Sequence, residues 1–357
     1  MATELTSYER FKRMFEHKDA DRIPIIDGPW ESTIERWQRE GMPATVSYVD
    51  FFGLDKQAGY SVDVSPRYPG GVIEETDDYV ISKSAYGVTM KTWKHAASTP
   101  QFLDFTIKDR PSWAEAKARM TPSEDRINWN WLKTAYPTWV KEGWWKVCNF
   151  WFGFDVTHSW TVGTERVLLA LAEDPEWCFD IFNHFLDTCI ALWDRIIDAG
   201  YTFDSMFWCD DMGYKQHTFF SLNTYRQVLK PVQKRAIEWA HSRGMYAHLH
   251  SCGYVEPLLP DLVEMGLNAL NPLEVKAGMD PLKLKREWGD ELVLHGGMNA
   301  VLYEHMDQME AEMRRLLPTL KENGGYILSS DHSVPDSVSL EDFRRFIDLA
   351  KELGSYE

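Results

Sequence analysis

From residue 144 onward the chain alternates short apolar runs with amphipathic stretches, at least six times in order. Trp145 to Phe150 reads as a strand. Asp174-Pro175 then opens a long helix that Gly200 closes: Asp caps, and Pro suits a first helical turn. Strands are expected over Phe203–Cys209, Met245–His250, Leu267–Leu273, Leu292–Gly297 and Tyr326–Ser330. Helices are expected between them, over Ser221–Ser242, Val255–Met265, Pro281–Trp288 and Tyr303–Asn323, with a last one capped by Ser339 and running to about Leu353. Such a rhythm calls for parallel strands joined by helical crossovers, because a two-residue turn cannot connect parallel neighbours. No Gly-rich phosphate loop follows the first strand, and the repetition continues to the carboxyl end. Both features favour a closed (β/α)8 TIM barrel over an open sheet, and in such barrels chemistry sits where strands end.

The amino-terminal part, about residues 1–143, is less regular. Ser7 to Glu16 reads as a helix and Arg22 to Ile26 as a first short strand. Val72–Thr76, Tyr79–Ser84 and Val88–Trp93 alternate in polarity between turn residues, a hairpin insertion over about 60–95. The expectation is an α/β fold: one barrel domain over 1–357 with amino-terminal helical and β-hairpin additions. A barrel needs about 250 residues plus insertions, which this length allows.

A formal charge of -17 disfavours nucleic acid and anionic membranes as partners. No apolar run approaches the roughly 18 residues of a membrane span. Five cysteines without CxxC spacing, and no signal peptide, point to a cytoplasmic protein. The 16 Trp exceed ordinary use; many must be core, and a surplus suits an aromatic pocket. Trp30, Trp93 and Trp151, with Asp331 and His332, are the candidate substrate contacts.

The expected strand ends carry Cys209-Asp210-Asp211, His250-Ser251-Cys252, Asn271-Pro-Leu-Glu274, His295-Gly-Gly297 and Ser329-Ser-Asp331-His332. His250 and Cys252, two apart, share one face of a strand, so their ligand atoms can converge on an ion. A catalytic zinc takes about three protein ligands and keeps one position open. His250, Cys252, Glu274 and His295 form the candidate ligand pool. Each has a plainer alternative, such as a small buried thiol for Cys252 or an ion pair with Lys276 for Glu274. Asp210 and Asp211 are the candidate catalytic carboxylates; adjacent in extended chain, they point to opposite sides, one to the pocket and the other to the turn before Gly213.

These residues resemble the uroporphyrinogen decarboxylase superfamily, and within it the corrinoid-dependent methyltransferase branch of O-demethylase type. The likeness rests on His250-Ser-Cys252-Gly253, Asn271-Pro-Leu-Glu-Val-Lys-Ala-Gly-Met-Asp280, Leu294-His-Gly-Gly297 and Ser329-Ser-Asp-His-Ser-Val-Pro335. Gly163-Thr-Glu165 through Asp174-Pro-Glu176 adds to it, and the likeness runs over roughly residues 8 to 353. It implies a (β/α)8 barrel with bound zinc at its mouth. It also implies a methyl group passed from a small methylated substrate to the cobalt of a corrinoid carried by a partner protein. Branch members acting on thiols use His-x-Cys plus a second Cys near the last strand, where this chain has Ser330-Asp331. Ether-demethylating members hold zinc with carboxylate and His, which points to Glu274 and His295 as substitutes. True decarboxylases carry an Arg-rich signature after the first strand, where this chain has Ile26-Asp-Gly-Pro-Trp30. The expected function is therefore zinc-dependent demethylation of a methoxylated aromatic ether. The alternatives are a decarboxylase of a small carboxylated substrate and a non-catalytic subunit that binds the corrinoid protein. A homodimer is left open.

Overall fold

The computed structural model describes residues 4–95 and 99–356. In chain order its strands are β1 (Gln57–Ser61), β2 (Gly71–Glu75), β3 (Tyr79–Lys83), β4 (Val88–Trp93), β5 (Gln101–Phe105), β6 (Trp145–Phe150), β7 (Ser205–Cys209), β8 (Tyr246–His250), β9 (Ala269–Asn271), β10 (Val293–His295) and β11 (Tyr326–Ile327). β1 and β6 to β11 form one parallel seven-stranded sheet in the order β1-β6-β7-β8-β9-β10-β11.

The segment Ile23–Ile26 closes the ring as an eighth stave. Leu328 N–H donates to Pro24 O at 2.9 Å and Ile26 N–H to Leu328 O at 3.0 Å, joining it to the chain after β11. On its other side Asp55 N–H donates to Ile25 O at 2.9 Å, just ahead of β1. The fold is a (β/α)8 barrel. Helices cross between its strands, the longest over Pro175–Asp198, where the Asp174 carboxylate accepts from Trp177 N–H. Most strands are shorter at one or both ends than the apolar runs suggest: β7 and β8 start later, and the last residues of the runs at β9, β10 and β11 belong to the loops that shape the mouth. The expected helix Ser221–Ser242 is interrupted by a widened π turn over Tyr225–Leu229. Pro231 follows it and has no N–H to give the carbonyl of Gln227.

Packing explains many of the tryptophans. The helix Ser7–Phe15 presents Phe11, Met14 and Phe15 to the amino-terminal end of the barrel, where Phe15 stacks on Trp145 at 5.2 Å and on Tyr246 at 4.6 Å. Trp37, Trp193 and Trp208 are fully buried elsewhere in the core. The insertion is larger than the hairpins expected: β2 to β5 make a four-stranded antiparallel sheet, and β5 lies beyond the anticipated boundary. Phe102 of β5 meets Trp160 at 5.5 Å, and Tyr86 meets Trp151 at 4.8 Å, so aromatic rings join this sheet to the loop after β6. Among the described residues no helix is long and apolar enough to cross a membrane.

Candidate metal centre

The two carboxylates after β7 have opposite fates, as alternation in extended chain demands. Asp210 turns inward, fully buried, and accepts hydrogen bonds from Phe154 N–H at 2.7 Å, Asp155 N–H at 2.9 Å and Gln233 Nε2 at 2.7 Å. It fastens the loop after β6 rather than the turn at Gly213 and does not line the cavity. A side chain at Gly153 would put its Cβ 2.5 Å from Asp210 Oδ2, so that loop needs glycine. Burial pushes the Asp210 carboxyl up to about 8. Asp211 turns the other way, toward the end of β8.

β8 delivers His250, and Cys252 follows after one residue. His250 Nε2 stands 3.4 Å from Cys252 Sγ and 3.6 Å from Asp211 Oδ1. One ligand atom from each of Asp211, His250 and Cys252 lies within 4.8 Å of the others, and this is the single such group of three His, Cys, Asp or Glu among the described residues. The backbone fixes the grouping. Cys252 N–H donates to Asp211 Oδ1 at 2.8 Å, and Gly253 and Gly213 touch: a Cβ on Gly253, at φ +81, would fall 2.1 Å from Gly213 C.

Asn271 sets the tautomer of His250. Its Nδ2 donates to His295 O at 3.3 Å, which leaves Oδ1 as the atom 2.5 Å from His250 Nδ1. An amide oxygen only accepts, so Nδ1 carries the proton and Nε2 presents its lone pair to the group. Burial, followed by the charges of Asp211 and Glu274, pushes the Cys252 thiol far up. A thiolate there needs a cation beside it. Sequence reasoning missed the role of Asn271; an Asn at the end of the strand after His250 was the available signal.

Glu274 and His295 lie close by but outside the group of three. Glu274 Oε2 accepts from Gly253 N–H at 2.6 Å and pins the turn after Cys252, while Oε1 faces Lys276 Nζ at 3.4 Å. His295 Nδ1 pairs with His248 Nε2 at 3.2 Å deep in the barrel, and burial, then His250, lowers its pKa to about 3. Behind Asp211, burial raises Asp155 to about 7, and burial lowers His158 to about 4.

A cavity of about 470 Å³ opens at the mouth, lined by His250, Cys252 and His295 on one side and by Asp27, Ser330 and His332 on the other. Asp331 borders it too, but its oxygens accept Val275 N–H at 2.9 Å and Ala300 N–H at 2.8 Å and bind neighbouring loops together. The three tryptophans of the sequence reading lie outside the lining. Trp30 meets His332 edge-on at 6.0 Å. Trp151 packs on Trp160 at 5.4 Å and donates to Asp155 at 3.0 Å. Trp93 is 44% exposed on β4, under Lys91 Nζ at 4.1 Å, held there by the insertion sheet.

Among solved structures, a methyltransferase from Methanosarcina mazei superposes with a TM-score of 0.67 at 16% identity, covering 98% of this chain and 99% of that one. A B12-independent methionine synthase from Shewanella sp. W3-18-1, in complex with selenomethionine, gives 0.39 at 13% identity over 82% of this chain and 74% of that one. No curated protein matches the chain. Residues 157–353 match the family described as Uroporphyrinogen decarboxylase (URO-D). That stretch is more than half of the chain and carries the strand ends from β7 to β11, and so this protein belongs to the uroporphyrinogen decarboxylase family.

Proposed function

We propose that the chain moves a methyl group from a small methylated substrate to the cobalt of a corrinoid on a partner protein, at a zinc held by Asp211, His250 and Cys252. The convergence of those three donors within 4.8 Å, with His250 and Cys252 at the cavity wall, carries this reading. With zinc bonds of about 2.0–2.3 Å, tetrahedral ligand atoms stand about 3.5 Å apart. The separations of 3.4 and 3.6 Å from His250 Nε2 agree with that. A carboxylate, a neutral imidazole and a thiol suit zinc, and three ligands leave one position for substrate.

Bound zinc supplies Lewis acidity that draws charge from the atom losing its methyl group. The chain's own residues do the rest. Asn271 holds the His250 ring, Glu274 and Asp211 hold the turn carrying Cys252, and the cavity holds the substrate against them. The volume suits one substituted aromatic ring, the methoxylated ether expected from the sequence. The Methanosarcina structure is also named a methyltransferase, which supports the reaction class. Among the described residues no Lys or Arg lines the cavity, which speaks against a carboxylated substrate and a decarboxylase.

Elemental analysis of the purified protein tests the metal, with about one zinc per chain expected. Asp211→Asn, His250→Ala and Cys252→Ser should each lose it, while His295→Ala should retain it. Mixing the protein with a reduced corrinoid carrier and methoxyaromatics should produce the visible spectrum of methyl-cobalt. A protein with neither zinc nor methyl transfer overturns the reading.

A further inference from the structure

The wall of the cavity facing the metal group has its own chemistry. Asp27 ends the first stave, which lies across the ring from β8 in the strand order. Its Oδ2 accepts from Ser330 Oγ at 2.7 Å, Ser330 N–H at 3.2 Å and Tyr303 Oη at 3.3 Å. Among the described residues Oδ1 accepts only from Gly28 N–H, at 2.9 Å. A carboxylate oxygen has two acceptor positions, so Oδ1 keeps one for a ligand. The other carboxylates of the lining are engaged: Asp331 by two backbone N–H groups, and Asp55 by Arg10, Arg22 and Ile25 N–H. The lining holds no Lys or Arg to balance Asp27.

We infer that Asp27 is a specificity-determining residue that accepts a hydrogen bond from a substrate hydroxyl, so the cavity selects uncharged, hydroxyl-bearing methylated compounds and rejects carboxylated ones. This rests on the methyl-transfer reading. The hydroxyl donates to Oδ1 while the methylated atom faces Asp211, His250 and Cys252. A carboxylate placed there would meet Asp27 with no counter-ion, and an unpaired charge is costly in a desolvated site. Ser330 and Tyr303 hold the carboxylate from behind, so it needs little reorganisation to bind.

Calorimetric titration of the zinc-loaded full chain with 4-methoxyphenol, methoxybenzene and 4-methoxybenzoate, whose two substituents stand at opposite ends of the ring, tests this. One hydrogen bond to a charged acceptor predicts that 4-methoxyphenol binds about tenfold tighter than methoxybenzene. The benzoate should bind weakest. Asp27→Asn, which removes the charge, should cut the preference for the phenol severalfold and relieve the rejection of the benzoate. The three-ligand comparison in the unaltered protein stands by itself if that variant folds poorly. Benzoate binding as tight as phenol binding, no binding by any of the three, or an unchanged preference in folded Asp27→Asn would each overturn the assignment. The methyl-transfer reading fails separately, if 4-methoxyphenol binds with the expected preference and no methyl group reaches cobalt.

Discussion

Asp210 and Asp211 show how far two neighbouring carboxylates can diverge. One is sealed under the loop after β6 by three donors; the other meets an imidazole and a thiol. Burial holds the folded Asp210 carboxyl at about 8, above its ordinary value, so the folded state binds that proton more tightly than the unfolded chain does. The associated stability is full at low pH and is lost as pH rises through about 8. Thermal unfolding of the unaltered protein and Asp210→Asn, followed between about pH 5 and pH 9, should show the unaltered protein losing more stability over that range. A constant gap between the two curves would contradict the assignment. The sequence could say that the two carboxylates point apart. Neither lines the cavity: Asp210 lies under the loop after β6 and Asp211 beside His250 and Cys252, surroundings that loop packing decides.

At the scale of elements, the group of Asp211, His250 and Cys252 forms because two loops are pressed together. The turn after β7 and the turn after β8 touch at Gly213 and Gly253, and that contact sets Asp211 beside Cys252. Gly253→Ala adds a side chain to a backbone at φ +81 and drives it into Gly213. Such strain costs on the order of 1–3 kcal/mol. The variant should lose most of its zinc although no ligand has changed, measured by metal content alongside circular dichroism. Retention of full zinc with unaltered stability would show that the loop contact is dispensable. The same contact explains why Gly253, legible in the sequence as the break after Cys252, was not legible as a packing requirement. Glu274 is similar: its place after β9 could be read, but its bond to Gly253 N–H needed the neighbouring loop.

For the whole molecule, closure of the ring depends on a buried joint at the start of β1. Asp55 has a fully buried side chain and takes Arg10 Nη1 at 3.0 Å, Arg22 Nη1 at 2.6 Å and Ile25 N–H at 2.8 Å. It ties the amino-terminal helix, the first stave and the start of β1 into one joint. Asp55→Ala leaves two guanidinium groups without their shared partner, and breaking a buried pair costs about 3–5 kcal/mol. Urea unfolding should register that loss; a change below about 1 kcal/mol would assign the joint no more than the weight of a surface pair.

The repeating apolar and amphipathic stretches after residue 144 determined the barrel, because short apolar runs alternating with period-3.6 stretches can bury their apolar faces together in few ways. They also pointed to His250 and Cys252 as a pair, although Cys252 lies beyond the end of β8 and the loop contacts place it. Tertiary structure decided the third member of the group, the inward turn of His295 toward His248, and the removal of the tryptophans from the cavity wall. Those outcomes depend on which side chains from distant segments reach the same few ångströms. Contacts of that kind are set by strand register, loop packing and the insertion sheet, none of which a local pattern encodes.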